Sequence, residues 1–277
     1  MIDNIATIKK YIQQAEAILI TAGAGMGVDS GLPDFRGDKG FWKAYPVIAK
    51  LGLSFSDMAN PHWFENDPKL AWAFYGHRLN LYRETTPHDG FKILLELVKQ
   101  KKENYFIFTS NVDGQFQKAG FDDKKIVEVH GSIHHTQCSK NCDFVISDAK
   151  DLKVEVDMEK FEALNIPLCP NCSAVLRPNI LMFGDAWWNE TREFEQKQRY
   201  LRWLKENRDK KMAIIEIGAG TAIPTVRIQS EKVALQTKDA KLIRINPRDF
   251  EVPKGLGFSV ALGGLEGLKD IIPPKSI

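Results

Sequence analysis

Gly23-Ala24-Gly25-Met26-Gly27-Val28-Asp29-Ser30-Gly31-Leu32-Pro33-Asp34-Phe35-Arg36-Gly37 follows directly on an apolar run, Ala17 to Ala22. A run of that length that ends in glycines suits a buried strand. A strand that opens into glycines is a common way to bring backbone N–H groups against a phosphate. A plain dinucleotide turn would read G-x-G-x-x-G and pass into a helix. Here a proline, an acid, an aromatic and a base follow within a few residues, which suits a loop that covers a ligand as well as holding it.

Working outward, apolar and amphipathic stretches alternate along most of the chain. Upstream, Ile5, Ile8, Ile12 and Ala15 share one face of a helix expected from Asp3 to Glu16. Downstream, residues 38–84 are aromatic-rich and helical in pattern, broken at Pro61 and Pro68. A helix is expected over Phe91–Lys99, a strand over Tyr105–Thr109, a helix over Asp113–Ala119 and a strand over Ile126–Val129. Beyond residue 178 the alternation resumes with a strand at Asn179–Phe183 and a helix at Glu190–Glu206. A strand at Met212–Ile217, a helix, a strand at Lys241–Asn246, and a last strand and helix complete it. Strands that alternate with helices predict an α/β fold, a doubly wound, Rossmann-like parallel sheet.

Between about Ser132 and Arg177 the pattern breaks, and the four cysteines of the chain fall here as two pairs, Cys138-x3-Cys142 and Cys169-x2-Cys172. No N-terminal apolar segment resembles an export signal, so a cytoplasmic location is expected and a zinc site is favoured over disulfides. Four thiolates complete a tetrahedral zinc shell with no position left for water, which predicts a closed, structural site. The alternative is four free thiols.

The 277 residues are 43% hydrophobic and 27% charged, with a formal net charge of +2. That balance gives no electrostatic case for nucleic acid, and no apolar run approaches the roughly 20 residues that span a bilayer.

Three further stretches carry chemistry. Gly218-Ala219-Gly220-Thr221 repeats the strand-to-glycine pattern, and in a parallel sheet two such turns can meet on one ligand at the switch point. Thr109-Ser110-Asn111-Val112-Asp113 offers an amide and a carboxylate; the competing reading is a helix cap at Ser110 or Asn111. Val129-His130-Gly131-Ser132 places a histidine at a strand end, where an imidazole suits a general base, although an isolated histidine also serves structural roles.

Taken in order, the glycine loop, Thr109–Asp113, Val129–Ser132, the cysteine pairs and Leu176–Asp185 resemble the sirtuins, NAD-dependent protein deacylases. The resemblance implies a large Rossmann-like domain from about 1–37, 86–131 and 178–277. A small domain would form from a helical insertion at about 38–85 and a zinc ribbon at about 132–177. NAD would be held by Gly23, Ala24, Gly25, Met26, Pro33, Asp34, Phe35 and Arg36, by Ser110, Asn111 and Asp113, and by Gly218, Gly220, Thr221 and Asn246. His130 would be the base, with Asn111 as a second catalytic residue, and zinc would be bound by Cys138, Cys142, Cys169 and Cys172. The implied partner is an acylated-lysine protein, whose backbone would pair with Leu181–Gly184, including Phe183 and Gly184, as an added strand. The implied products are free lysine, nicotinamide and O-acyl-ADP-ribose.

The chain also departs from the sirtuin pattern. Gly27 stands where serine is usual, Ser110 where glutamine is usual, and the second glycine turn is altered. These changes keep open an NAD glycohydrolase or ADP-ribosyltransferase, or a non-catalytic NAD-binding module. Tyr75 and Arg78 match a Tyr-x-x-Arg of the desuccinylase branch. On a helix they share a face, and an arginine fork suits a carboxylate, so a deacetylase that removes succinyl or malonyl groups at least as well as acetyl is expected. The other reading is a core tyrosine beside a solvated arginine.

Overall fold

A computed structural model describes residues 4–34 and 37–272. Eleven strands form among these residues. They are β1 (Ala17–Ala22), β2 (Tyr105–Thr109), β3 (Ile126–Glu128), β4 (Gly131–Cys138), β5 (Ile146–Asp148), β6 (Val156–Asp157), β7 (Glu162–Ala163), β8 (Leu176–Ile180), β9 (Lys211–Ile217), β10 (Asp239–Ile245) and β11 (Gly257–Val260). Six of them make one parallel sheet in the order β11-β10-β9-β1-β2-β3.

That order reverses direction between β1 and β9, the two strands that open into glycine turns. Every residue of β1 is buried. Ile18 and Ile20 point into one core with α1 (Ile5–Gln14), α7 (Asp89–Gln100) and α11 (Gly264–Ile271). Ala17 and Leu19 point into another, beneath α9 (Thr191–Asn207) and α10 (Thr225–Gln236). Burial on both faces is why these strands read as unbroken apolar runs rather than as an alternation.

Residues 37–84 form five helices: α2 (Gly37–Ala44), α3 (Pro46–Lys50), α4 (Phe55–Met58), α5 (Trp63–Asn66) and α6 (Pro68–Glu84). Their aromatic side chains build a separate core with Ile133, Val154, Phe161 and Ile180. The Trp72 indole ties it to the ribbon by donating to the Leu176 carbonyl at 2.7 Å.

Two sequence expectations are corrected. The strand expected at Asn179–Phe183 is Leu176–Ile180, and it lies outside the parallel sheet, pairing antiparallel with β4 in a three-stranded sheet. Its buried Asn179 explains the departure, because the amide donates to Gln137 Oε1 at 2.9 Å and to the Asn189 carbonyl at 2.8 Å. The helix expected from Asp113 is only α8 (Gln115–Lys118), because Gly114 takes a left-handed φ of 67° and Asp113 caps Gln115 N–H instead. Among the described residues no helix is long and apolar enough to cross a membrane.

Candidate functional site

The carboxyl ends of β1 and β9 are locked together by backbone. Gly23 N–H donates to the Ile217 carbonyl and Gly25 N–H to the Gly218 carbonyl, both at 3.0 Å. A Cβ on Gly25 would lie 2.7 Å from Gly218 Cα, so the two turns touch with no room for a side chain. Gly218 itself has a left-handed φ of 63°. The loop then winds into a 3-10 helix, Ala24–Ser30, with Met26 and Gly27 buried. Pro33 and Asp34 follow, half-buried, with Asp34 3.8 Å from the Arg248 guanidinium. Phe35 and Arg36, expected to touch NAD, lie outside the described residues.

His88, which the sequence reading did not single out, fastens this loop. Its ring bridges the Met26 carbonyl and Gly90 N–H at 2.9 Å each, and its own N–H donates to Ser30. Asp29 accepts from Leu265 N–H at 2.8 Å. The Pro87-His88 pair opening α7 was the available signal, since a histidine just before an amphipathic helix is placed to cap it.

Thr109–Asp113 leaves β2 beside the same turn. Asn111 donates from its amide to the Gly23 carbonyl at 3.0 Å, and Ser110 N–H to the Ala22 carbonyl at 3.1 Å. Asn111 therefore braces the first glycine turn directly. Asn246 does the same for the second: it donates to the Ala219 carbonyl at 2.9 Å, and its oxygen accepts Arg248 and Asp249 N–H at 3.0 Å. It is buried, and it braces the second glycine turn, which is expected to hold NAD. Gly220 has open space where a side chain would be, and Thr221 is exposed.

His130 sits at the corner where the chain leaves β3 of the parallel sheet for β4 of the antiparallel one. Gly131 makes that corner with a φ of 77°, where a side chain would strike the Asn179 carbonyl. The His130 carbonyl accepts Leu181 N–H at 3.0 Å. Burial holds the imidazole below its usual pKa, and a hydrogen bond with the Ser110 main chain works the other way. The ring is thus kept neutral, as a base must be. Burial pushes the carboxyl of Asp113, at the end of the loop after β2, up to about 6 against the Gln115 N–H bond that favours the ionised form.

Leu181, Met182 and Phe183 have their N–H groups engaged, by His130, Asp185 and the Ala59 carbonyl respectively. Phe183 is exposed and Gly184 turns with a φ of 68°. What this edge offers an incoming strand is its carbonyls. Asp185, buried against Arg177, holds the segment in place through Met182 and Trp187 N–H.

Tyr75 and Arg78 lie on the inner face of α6 and are both buried, so Arg78 is not a solvated surface arginine. Arg78 donates from Nε and Nη2 to Tyr82 Oη at 3.0 and 2.9 Å. The Tyr75 hydroxyl is buried with no hydrogen-bond partner among the described residues.

The four cysteines converge, with all Sγ atoms within 4.8 Å of one another. Cys138–Cys172 and Cys142–Cys169 approach to 3.5 and 3.6 Å. Zn–S bonds of about 2.3 Å in a tetrahedron set sulfur separations of about 3.8 Å, so four thiolates so placed fit zinc.

Residues 23–202 match the model of the Sir2 family. The NAD-dependent protein deacylase 1 of Caldanaerobacter subterraneus subsp. tengcongensis is 30% identical over 261 residues, 94% of each chain. The NAD-dependent protein deacylase of Leptospira interrogans is 34% identical over 180 residues, 65% of each chain. A crystal structure of a Sir2 homologue in complex with NAD superposes with a TM-score of 0.71 at 22% identity, covering 96% of this chain and 91% of that one. With its glycine turns, corner histidine and four-cysteine cluster in that family's order, the protein belongs to the Sir2 family.

Proposed function

We infer that the protein is an NAD-dependent protein-lysine deacylase. The observation that carries this is the meeting of the two glycine turns at the switch point of the parallel sheet, with His130 held neutral at the corner of the adjoining sheet. Ligands of open α/β sheets bind at such a switch point. NAD, when bound there, supplies an electrophilic ribose carbon with nicotinamide as its leaving group.

The chain's own residues do the rest. Gly23–Met26 and Gly218–Thr221 present backbone to the dinucleotide, and Asn111 and Asn246 keep the two turns in register. His130 takes up a proton on its imidazole from a ribose hydroxyl. Ser110 is shorter than an amide-bearing side chain, so ribose orientation falls to Asn111 and Asp113. The acyl-lysine segment lies along Leu181–Gly184, between the parallel and antiparallel sheets. The zinc cluster holds the ribbon that carries β4 and β8, and so fixes the wall of that passage.

Buried Tyr75 and Arg78 favour an acidic acyl group, succinyl or malonyl. The planar Arg78 fork, on one face of α6 with Tyr75, suits a carboxylate, and the Tyr75 hydroxyl has no partner among the described residues. Mass spectrometry of a reaction with NAD and succinyl-lysine peptide tests the reading. O-succinyl-ADP-ribose formed in step with free peptide supports it; deacylated peptide without that product, or no reaction with any acyl peptide, overturns it.

A further inference from the structure

We propose that His88 is a positioning residue for NAD, holding the first glycine turn through the Met26 carbonyl so that the turn keeps its shape toward the dinucleotide. The proposal rests on the reading of Gly23–Met26 as part of the NAD site. Met26 stands where the two glycine turns meet. Its N–H donates to the Gly23 carbonyl at 3.0 Å, and a Cβ on Gly218 would lie 2.4 Å from its nitrogen. A shift of Met26 therefore disturbs both turns at once.

The two bonds of the His88 ring fix its proton. The Met26 carbonyl can only accept and the Gly90 N–H can only donate, so Nε2 carries the hydrogen and Nδ1 is bare. The Nδ1 bond, at 2.9 Å, caps α7 by satisfying one of its first N–H groups. The Nε2 bond, also at 2.9 Å, leaves the helix for a loop 62 residues earlier in the chain. The ring has little freedom between them. Phe91 stands edge-on to it at 5.0 Å, and a Cβ on Gly90 would lie 2.4 Å from its Cε1, so the glycine leaves the ring its place. Phe91, Leu94, Leu97 and Val98 bury α7 in the core, and the ring carries that rigidity to the loop. Asp29 and Ser30 hold the far end of the 3-10 winding, through Leu265 N–H and His88 N–H, whereas the ring bond holds its near end, beside the turn.

The two ring nitrogens do separate jobs, and two amide side chains separate them. Asparagine offers an acceptor in the place of Nδ1 and caps a helix well, but is too short to reach Met26. Glutamine offers an N–H in the place of Nε2 and no acceptor in the place of Nδ1. The test compares His88→Asn and His88→Gln with the parent, all zinc-loaded. It reads Kd for NAD and for ADP-ribose by calorimetry, the urea midpoint, and KM and kcat for NAD with an acyl-lysine peptide. His88→Asn should keep the parent's urea midpoint yet raise Kd and KM for NAD by about threefold to tenfold, the scale of one hydrogen bond, with kcat nearly unchanged. His88→Gln should show the reverse, a lowered urea midpoint with NAD affinity close to the parent's. NAD affinity unchanged in His88→Asn, equal losses of affinity in both variants, or an affinity loss that tracks the urea midpoint would overturn the proposal. Should the parent bind neither NAD nor ADP-ribose, the NAD reading itself falls, and the role of His88 with it.

Discussion

Gly25 donates its N–H to the Gly218 carbonyl across the switch point, and neither glycine has room for a Cβ against the other. The glycines therefore serve contact between two turns as much as approach to a phosphate. Gly218→Ala should cost about 2 kcal/mol or more, since alanine at a left-handed φ is strained by about 1–2 kcal/mol before any clash with Gly25 and Met26 is added. Urea denaturation checks the stability, and an NAD titration should show weakened binding. A variant as stable as the parent would mean that the turns can separate freely.

Much of this arrangement was legible in the sequence, for physical reasons specific to each element. β1, β2 and β9 are buried on both faces, so their composition alone marked them. The zinc cluster was legible because cysteine pairs at short spacing have few other uses. The 3-10 winding of Ala24–Ser30 was not, since glycines there are compatible with many conformations. Nor was the place of β8, whose edge is set by Asn179 reaching Gln137 and Asn189, residues far apart in the chain. Arg78 is open to both a surface and a site reading in the sequence because one helix face looks like another until its neighbours are known. Asn246 is expected from the sequence to hold NAD, and only the fold reveals the Ala219 carbonyl it supports.

Asp113 should weaken the fold at neutral pH. Burial raises its carboxyl to about 6, above the unfolded value of 3.8, so ionisation opposes folding above pH 6 and this penalty is relieved as the pH falls through that range. Asp113→Asn keeps an acceptor for Gln115 N–H and removes the charge. It should raise stability at pH 7.5 by on the order of 1–2 kcal/mol and have little effect at pH 4. Thermal unfolding at the two pH values checks this; equal effects at both would contradict it.

His130 shifts the other way. Its folded pKa lies below the ordinary 6.5, so the imidazole stays neutral to lower pH than a free histidine. The unfolded chain binds that proton more readily, so His130 favours folding less as the pH drops below 6.5. His135, pushed down to about 4 chiefly by burial, adds to the same loss between pH 6.5 and 4. An NMR titration of the His130 ring should give a midpoint below 6.5. A midpoint at or above 6.5 would remove the argument for a pre-neutralised base.

Removing zinc should unfasten the small sheet before the large one. Cys138 ends β4, and Asn141, between the first two cysteines, donates to the Trp187 carbonyl at 2.7 Å, close in sequence to the Leu181–Gly184 segment proposed to face substrate. Cys169→Ser should lower bound zinc below one per chain and reduce the melting temperature by several degrees or more. Acyl-peptide affinity should fall more than NAD affinity. Metal analysis with two calorimetric titrations checks this, and equal losses of the two affinities would contradict it.

The most direct test of the account is nicotinamide release from NAD by the zinc-loaded protein. It would be measured alone, with acetyl-lysine peptide and with succinyl-lysine peptide, each beside His130→Ala. Deacylation by this site predicts that release depends on peptide and is faster with succinyl than acetyl, and that the variant forms deacylated product about 10²–10⁴-fold more slowly. Release that proceeds equally without peptide would contradict the account and make the protein a glycohydrolase on the same fold.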